Sequence, residues 1–209
     1  YKQRAGRAGR PQYDNYGEAI IISRRKEEIQ KFKEKYINGD LNPVGSRLGS
    51  EPVLRSHVLS VVAGFCRNMK DLQNFFSDTF YGETYGSTDQ LRKILKNILN
   101  DLEDWKFIER NKEKLKPTKL GRRVSKLYID PLSARNIIKS LDKDLGELGY
   151  MFTIADTQEM RPYLRVNKKE EPDLWEEARI DSEDIPRDLK GFDLGINFPN
   201  KFKLAKMLK

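Results

Sequence analysis

The sequence predicts a mainly α protein carrying one small β-hairpin, and three observations lead there. Apolar residues recur at helical spacing through residues 54–102 and again through 120–148. Two short apolar segments around residues 107–115 flank a charged turn, as in a hairpin. The remaining strand-like run, residues 18–22, has no second run beside it to complete a sheet.

Size and composition bound the reading. The 209 residues suit one or two domains. Their 34% charged fraction exceeds the usual quarter or so, which predicts a heavily charged surface. No run approaches the roughly 18 apolar residues that a membrane span needs. The chain opens on Tyr1-Lys2-Gln3-Arg4, without a starting Met or an apolar leader core, so a piece of a longer intracellular protein is expected. A lone Cys66 and a lone His57 exclude an internal disulfide and a four-ligand zinc site of the Cys/His kind.

Taken in order, the elements read as follows. Glu18-Ala19-Ile20-Ile21-Ile22 follows a Pro/Gly/Asn-rich stretch and reads as a buried strand. A strand needs neighbours, so the first 22 residues read as the last part of a domain whose remainder lies elsewhere. Residues 24–36 read as a short charged helix closed by Asn38-Gly39 and a loop to Leu48. From Glu51, with Pro52 in a first turn that tolerates it, Leu54, Val58, Val61, Val62 and Phe65 form one helix face ending near Asn68. Leu72, Phe75, Phe76 and Phe80 make a second stripe before the breaker run of residues 81–86. Leu91, Ile94, Leu95, Ile98, Leu99 and Leu102 mark a third helix, opened by the possible caps Ser87, Thr88 and Asp89 and ending near Trp105.

Phe107-Ile108, a polar turn over residues 110–114 and Leu115 before Pro117 then make the hairpin. Three helices followed by a hairpin is the order of a winged helix. Thr118 caps a further helix through Leu120, Val124, Leu127 and Tyr128. Asp130-Pro131 punctuates the chain before a helical segment through Ile137, Ile138, Leu141, Leu145 and Leu148. The acidic residues 168–199, with Pro172, Pro186 and Pro199, read as partly unordered, and residues 201–209 read as the start of a helix.

Charge is uneven along this order. The net +8 divides as +5 over residues 1–50, +4 over 51–130 and −1 over 131–209. In one window Arg110, Lys112, Lys114, Lys116, Lys119, Arg122, Arg123 and Lys126 face a single acid, Glu113, a local excess of +7. Two readings stand for it: phosphate contact driven by counterion release, or a solvated surface.

The N-terminal run Gln3-Arg4-Ala5-Gly6-Arg7-Ala8-Gly9-Arg10-Pro11 sets two arginines three apart among glycines. Permanently charged, fork-shaped guanidinium groups beside closely approaching backbone suit an anion. As residues alone they read as a basic arm. The pattern Q-x-x-G-R-x-G-R resembles motif VI of superfamily 2 helicases. Its continuation through Tyr13, Asp14, Gly17, Glu18 and Ala19 resembles the superkiller-type branch. Glu51-Pro52-Val53-Leu54-Arg55-Ser56-His57-Val58-Leu59 and residues 118–131 (TKLGRRVSKLYIDP) are similar to the winged-helix region of archaeal DNA helicases of the Hjm type, relatives of the DNA polymerase theta helicase domain. The likeness is good over residues 1–160 and weaker beyond.

That resemblance implies a C-terminal part of an ATP-dependent 3′ to 5′ helicase acting on forked or branched DNA at stalled replication forks. Residues 1–45 would be the tail of the second RecA-like motor domain with motif VI and a linker. Residues 46–130 would be the winged helix, and residues 131–209 the start of a helical ratchet domain whose DNA-touching helix lies beyond Lys209. Arg7 and Arg10 would be the catalytic arginines, Arg10 the arginine finger, with Gln3, Gly6 and Gly9 shaping the ATP site. Arg110, Lys112, Lys114, Lys116, Lys119, Arg122 and Arg123 are the candidate DNA-binding residues. The winged helix would brace motor and ratchet, with no base specificity.

ATP and Mg²⁺ are implied as cofactors of the parent. None is expected on this piece, because the sequence has no G-x-x-x-x-G-K-[ST] loop and no acidic box. It would be inactive alone. Its implied partners are forked or single-stranded DNA and the parent's own motor domains, in a monomeric, nucleoid-associated cytoplasmic protein without a membrane. A free-standing winged-helix regulator and a protein-docking module are the alternatives. His57 is expected packed and neutral, Cys66 buried and inert, Trp105 packed, and Asp101, Glu103 and Asp104 a solvated face.

Overall fold

Helical periodicity and a shortage of strand partners decide the architecture. The computed structural model describes residues 1–9, 12–85, 87–112, 114–181 and 197–209. Among them, eleven α-helices accompany a single two-stranded antiparallel sheet. The chain divides into two units, Tyr1–Gly45 and Ser46–Lys209.

In the first unit, α1 (Lys2–Ala5) precedes a loop, and α2 (Glu27–Phe32) runs into a wider π-type turn over Lys33–Ile37. Lys2 Nζ donates to the Ile37 carbonyl at 2.9 Å. The Tyr36 ring sits 6.1 Å from that of Tyr1 and 5.7 Å from that of Phe32. The strand expected over residues 18–22 does not form. Ile20 and Ile22 are 79% and 88% exposed, and the segment is irregular. Strand backbone is stable only where a neighbour takes up its N–H and C=O groups, and the unit contains no other strand among the described residues.

The second unit is built on α3 (Glu51–Gly64), whose first turn holds Pro52. Its Leu54, Val58, Leu59 and Val62 are at most 2% exposed, each such side chain contributing roughly 1.5–3 kcal/mol by burial. His57, expected to be packed, is exposed, because this buried stripe puts position 57 on the far side of the helix. The Arg67 guanidinium donates to the Val62 and Gly64 carbonyls, at 3.3 Å each, satisfying the end of α3. Asn68, expected near that end, instead opens α4 (Met69–Ser77), its Oδ1 accepting from Asp71 N at 2.8 Å.

The breaker run is also corrected, since Phe80–Tyr85 forms α5. Thr79 accepts from Gly82 N at 3.3 Å, and Tyr81, 3% exposed, is buried in the core. That burial outweighs local turn preference. α6 (Thr88–Asp104) follows the sequence expectation, with Ser87 in the capping position. Leu91, Leu95, Ile98, Leu99 and Leu102 join α3 and α4 in one core.

Lys106, at φ 61°, turns the chain into β1 (Ile108–Asn111), which pairs with β2 (Lys114–Pro117). Arg110 lies opposite Leu115, and Glu109 opposite Lys116. The turn is tighter than expected, because Arg110, Asn111 and Lys114 belong to the strands. Lys112 sits in it at φ 54°. Leu115 N donates to the Arg67 carbonyl at 2.6 Å, fastening the second strand to the α3–α4 loop.

Thr118 caps α7 (Lys119–Leu127), accepting from Gly121 N at 2.9 Å and donating to the Lys106 carbonyl at 2.8 Å. Gly121 is required there, since a Cβ would lie 1.9 Å from the Phe107 carbonyl oxygen. Asp130 caps α8 (Pro131–Leu141). The helical run expected through Leu148 breaks after α8 and resumes as α9 (Glu147–Ala155), with Gly146 at its N-cap.

Part of the acidic stretch is ordered as α10 (Glu171–Ile180), while residues 182–196 lie outside the described residues. α11 (Phe198–Leu208) packs on α9 and α10 around Leu148, Phe152, Ala178, Phe198 and Phe202, with Trp175 stacked 4.7 Å from Phe198. As expected, Cys66 is buried, and burial pushes its thiol pKa up. No helix among the described residues is long and apolar enough to cross a membrane.

The two halves of this unit meet at a buried ion pair. Arg55 Nε and Nη2 donate to Asp130 Oδ1 and Oδ2 at 2.9 and 2.8 Å, with side chains 4% and 6% exposed. Burial lowers the guanidinium pKa, but the hydrogen bond and charge of Asp130 leave it raised overall. Trp105 packs against the core beneath this pair, with Arg55 and Arg135 over its ring at 5.5 and 5.4 Å. Asp130 N donates to Glu159 Oε1 at 2.6 Å, adding the segment after α9 to the joint.

Candidate nucleic-acid interface

The arginine loop follows α1. Gln3 lies on that helix, Gly6 closes it, and Arg7 is exposed. Gly9 has φ 78°, and a Cβ on Gly17 would lie 2.3 Å from Gly9 N, so both glycines are needed where the chain crosses its own loop. Among the described residues Arg7 forms no ion pair. Its exposed, permanently charged guanidinium can bond an anion. Arg10 lies outside the described residues. No group of His, Cys, Asp and Glu among the described residues could hold a metal ion.

The charged window around the hairpin divides among three faces. Alternation along the strands turns Ile108, Arg110, Leu115 and Pro117 inward, and Glu109, Lys114 and Lys116 outward. The inward Arg110 bonds Glu103 at the end of α6, and its hydrogen bond holds the Glu103 carboxyl below its ordinary pKa. Of the expected solvated acids, Glu103 is therefore engaged. Lys116 lies directly across from Glu109, which partly neutralises it. Lys119, Arg122, Arg123 and Lys126 follow at i, i+3, i+4 and i+7 along α7, an exposed basic stripe of their own.

A further positive surface joins the hairpin to residues that sequence reasoning did not select. A groove of about 780 Å³ is lined by Lys70 of α4, by Arg92, Lys93 and Lys96 of α6, and by Arg110 and Lys112. Among the described residues its one lining carboxylate is Asp89. Among the same residues Lys70, Arg92, Lys93, Lys96 and Lys112 form no ion pair and are exposed. The α6 spacing was legible in sequence, but the approach of α4 and the hairpin to that face is tertiary. Such a groove can hold a polyanionic backbone, and its described lining carries no aromatic platform for bases.

Comparison with known proteins gives no matching family model. The chain is 44% identical over 173 residues to "ATP-dependent DNA helicase Hel308" of Methanocella arvoryzae, covering 79% of this chain and 23% of that relative. It is 38% identical over 210 residues to the Hel308 of Methanocaldococcus jannaschii, covering 99% of this chain and 16% of that one. The chain belongs to the Hel308 family. A third relative, the Hel308 of Caldivirga maquilingensis, is 33% identical across 97% of the chain and 28% of its own length. The chain thus spans between a sixth and rather over a quarter of these Hel308 proteins. The alignment covering 99% of the chain takes in both the arginine loop and the basic groove of this Hel308 segment.

Proposed function

We propose that the chain is a segment of an ATP-dependent DNA helicase that moves 3′ to 5′ on forked or branched DNA in replication-fork repair. Residues 1–45 are then the tail of the second RecA-like motor domain, residues 46–130 a winged helix, and residues 131–209 the opening of the ratchet. The order of α3 to α6, hairpin and α7 supports the winged-helix assignment, and the names of the Hel308 relatives support the activity. Bracing of motor and ratchet by the winged helix follows from the resemblance. The protein works in the cytoplasm on the nucleoid, as a monomer.

In the parent, bound ATP with Mg²⁺ supplies the phosphoryl group that is transferred to water. The part played by this chain is charge: Arg7 and Arg10 hold the γ-phosphate oxygens as negative charge is redistributed on them, and Gln3, Gly6 and Gly9 shape the loop that presents them. A segment with these groups and no phosphate loop does not turn over ATP alone. Arg10→Ala in the full-length parent abolishes DNA-stimulated hydrolysis while ATP binding persists; unchanged turnover removes Arg10 from that role.

The observation that carries the DNA contact is the groove, whose described lining sets five cations without an ion pair, and Arg110 bonded to Glu103, against the one carboxylate of Asp89. It follows the duplex phosphates without reading bases, together with the hairpin-tip lysines and the α7 stripe. The test is fluorescence anisotropy of this chain with a 3′-tailed forked duplex across a salt series. Lys93→Glu/Lys96→Glu lowers the salt slope by roughly 0.9 for each phosphate that is no longer neutralised. Lys112→Glu/Lys114→Glu, at the hairpin tip, lowers it as well. Binding that ignores both double variants refutes this assignment.

A further inference from the structure

We propose that a second cavity, between α3, α8 and the segment from α9 to Arg161, is a binding site for a phosphate group. It encloses about 430 Å³, within the range of about 300–1,000 Å³ usual for small-ligand sites. The proposal does not depend on the helicase reading.

The cavity's charge is what selects the ligand. Its lining contains Arg55, Lys139, Lys143 and Arg161 against two carboxylates, Asp130 and Asp156. Both carboxylates are already committed, Asp130 to the two-pronged pair with Arg55 and Asp156 to an ion pair with Lys201. Lys139 and Arg161 therefore have no uncommitted lining carboxylate to answer them. Both are exposed and form no ion pair among the described residues. Arg161 is nevertheless positioned, since its Nε donates to the Tyr163 hydroxyl at 3.3 Å and its guanidinium lies 5.5 Å from the centre of that ring. Its two terminal nitrogens stay available for a forked bond to an oxyanion.

The shape of the wall agrees. Asn136, Lys139 and Lys143 recur at i, i+3 and i+7 from α8 onward, so amide and ammonium donors line one wall. Among the described residues Pro52 and Leu132 are the only apolar side chains of the lining, and it has no aromatic ring. The site thus offers nothing to a nucleobase or an acyl chain and much to a tetrahedral anion. Two sources share that chemistry: a small phosphate compound, and one phosphodiester of a single strand.

Lysine acetylation footprinting of the 209-residue chain, read by mass spectrometry at constant ionic strength, tests the site. Inorganic pyrophosphate and an unlabelled oligo-dT strand are titrated separately. The expected result is saturable protection of Lys139 by at least one of them, with Arg161→Gln raising the half-protecting concentration by about tenfold, as removal of one charge-assisted bond requires. Protection by pyrophosphate alone assigns a small phosphate compound, and protection by oligo-dT assigns a strand. Lys168, exposed and lining neither groove, reports whether an effect is general screening. Arg161 is exposed and outside both apolar cores, so the variant keeps its fold, checked by circular dichroism. No saturable protection by either probe overturns the site, as does protection that chloride reproduces or that Arg161→Gln changes by less than about twofold.

Discussion

Replacing Asp130 by Asn removes one charge and turns one of the two oxygens that accept from Arg55 into a donor. The side chain keeps its size and an oxygen that can still cap α8, yet the Arg55 guanidinium is left 4% exposed without a buried counterion. Glu51, 3.0 Å from Arg55 Nη1, is 69% exposed and cannot substitute. Breaking a buried pair by removing one partner costs about 3–5 kcal/mol. That is a large share of the roughly 5–15 kcal/mol that holds a typical domain together. At about 2–4 °C per kcal/mol for a protein of this size, Tm falls by roughly 6–20 °C.

Urea unfolding followed by tryptophan fluorescence reads the change, because Trp105 packs beside Arg55. The midpoint drops while m stays constant. Arg55→Leu together with Asp130→Asn is less damaging than the sum of the single changes, since no unpaired charge remains. A loss below about 1 kcal/mol for Asp130→Asn, or strict additivity in the cycle, refutes the view of this pair as a buried joint.

Three further outcomes follow from the same geometry. Gly121→Ala destabilises the hairpin end by about 1–3 kcal/mol, read as a lower urea midpoint, because its methyl group meets the Phe107 carbonyl oxygen; a neutral change contradicts the close crossing. Glu103 has a lowered folded-state pKa because Arg110 bonds its carboxylate, so it adds stability above the ordinary carboxyl pKa of about 4.3 that is lost as pH falls through the folded value. Wild type therefore loses more stability than Glu103→Gln between pH 6 and about pH 3, and parallel profiles rule the pair out. Cys66 reacts slowly with a thiol reagent in the native chain at about pH 7.5 and fully in urea, as a buried thiol with raised pKa requires; equal rates in the two conditions contradict its burial.

Legibility in the sequence varied with the range of the physics involved. The α6 and α7 helices, the Thr118 cap and the break at Asp130-Pro131 were readable because each rests on neighbours within about four residues. The breaker run failed as a loop because burial of Tyr81, a long-range effect, overrode local preference. His57 was misplaced by one helical step, and the isoleucine run by the absence of a sheet to receive it. In the interface, the sequence flagged charge density and not facing. It selected a contiguous basic window, whereas the groove recruits Lys70 and the α6 cations from some 15–40 residues upstream of the hairpin.

The alternation of the hairpin strands has a consequence for how this surface can vary. Sidedness in a pleat is a matter of parity: each residue's face is fixed by whether its distance from an anchored position is odd or even. Ile108, buried against the core, is the anchor of β1, and Arg110 follows it by two. Inserting a single residue between Ile108 and Glu109 moves Glu109 to the inward position and expels Arg110 to solvent. The groove then exchanges a cation for an acid, and Glu103 faces a like charge. Substitutions along β1 can tune the potential of this face by degrees, but a change in strand length inverts it in one step.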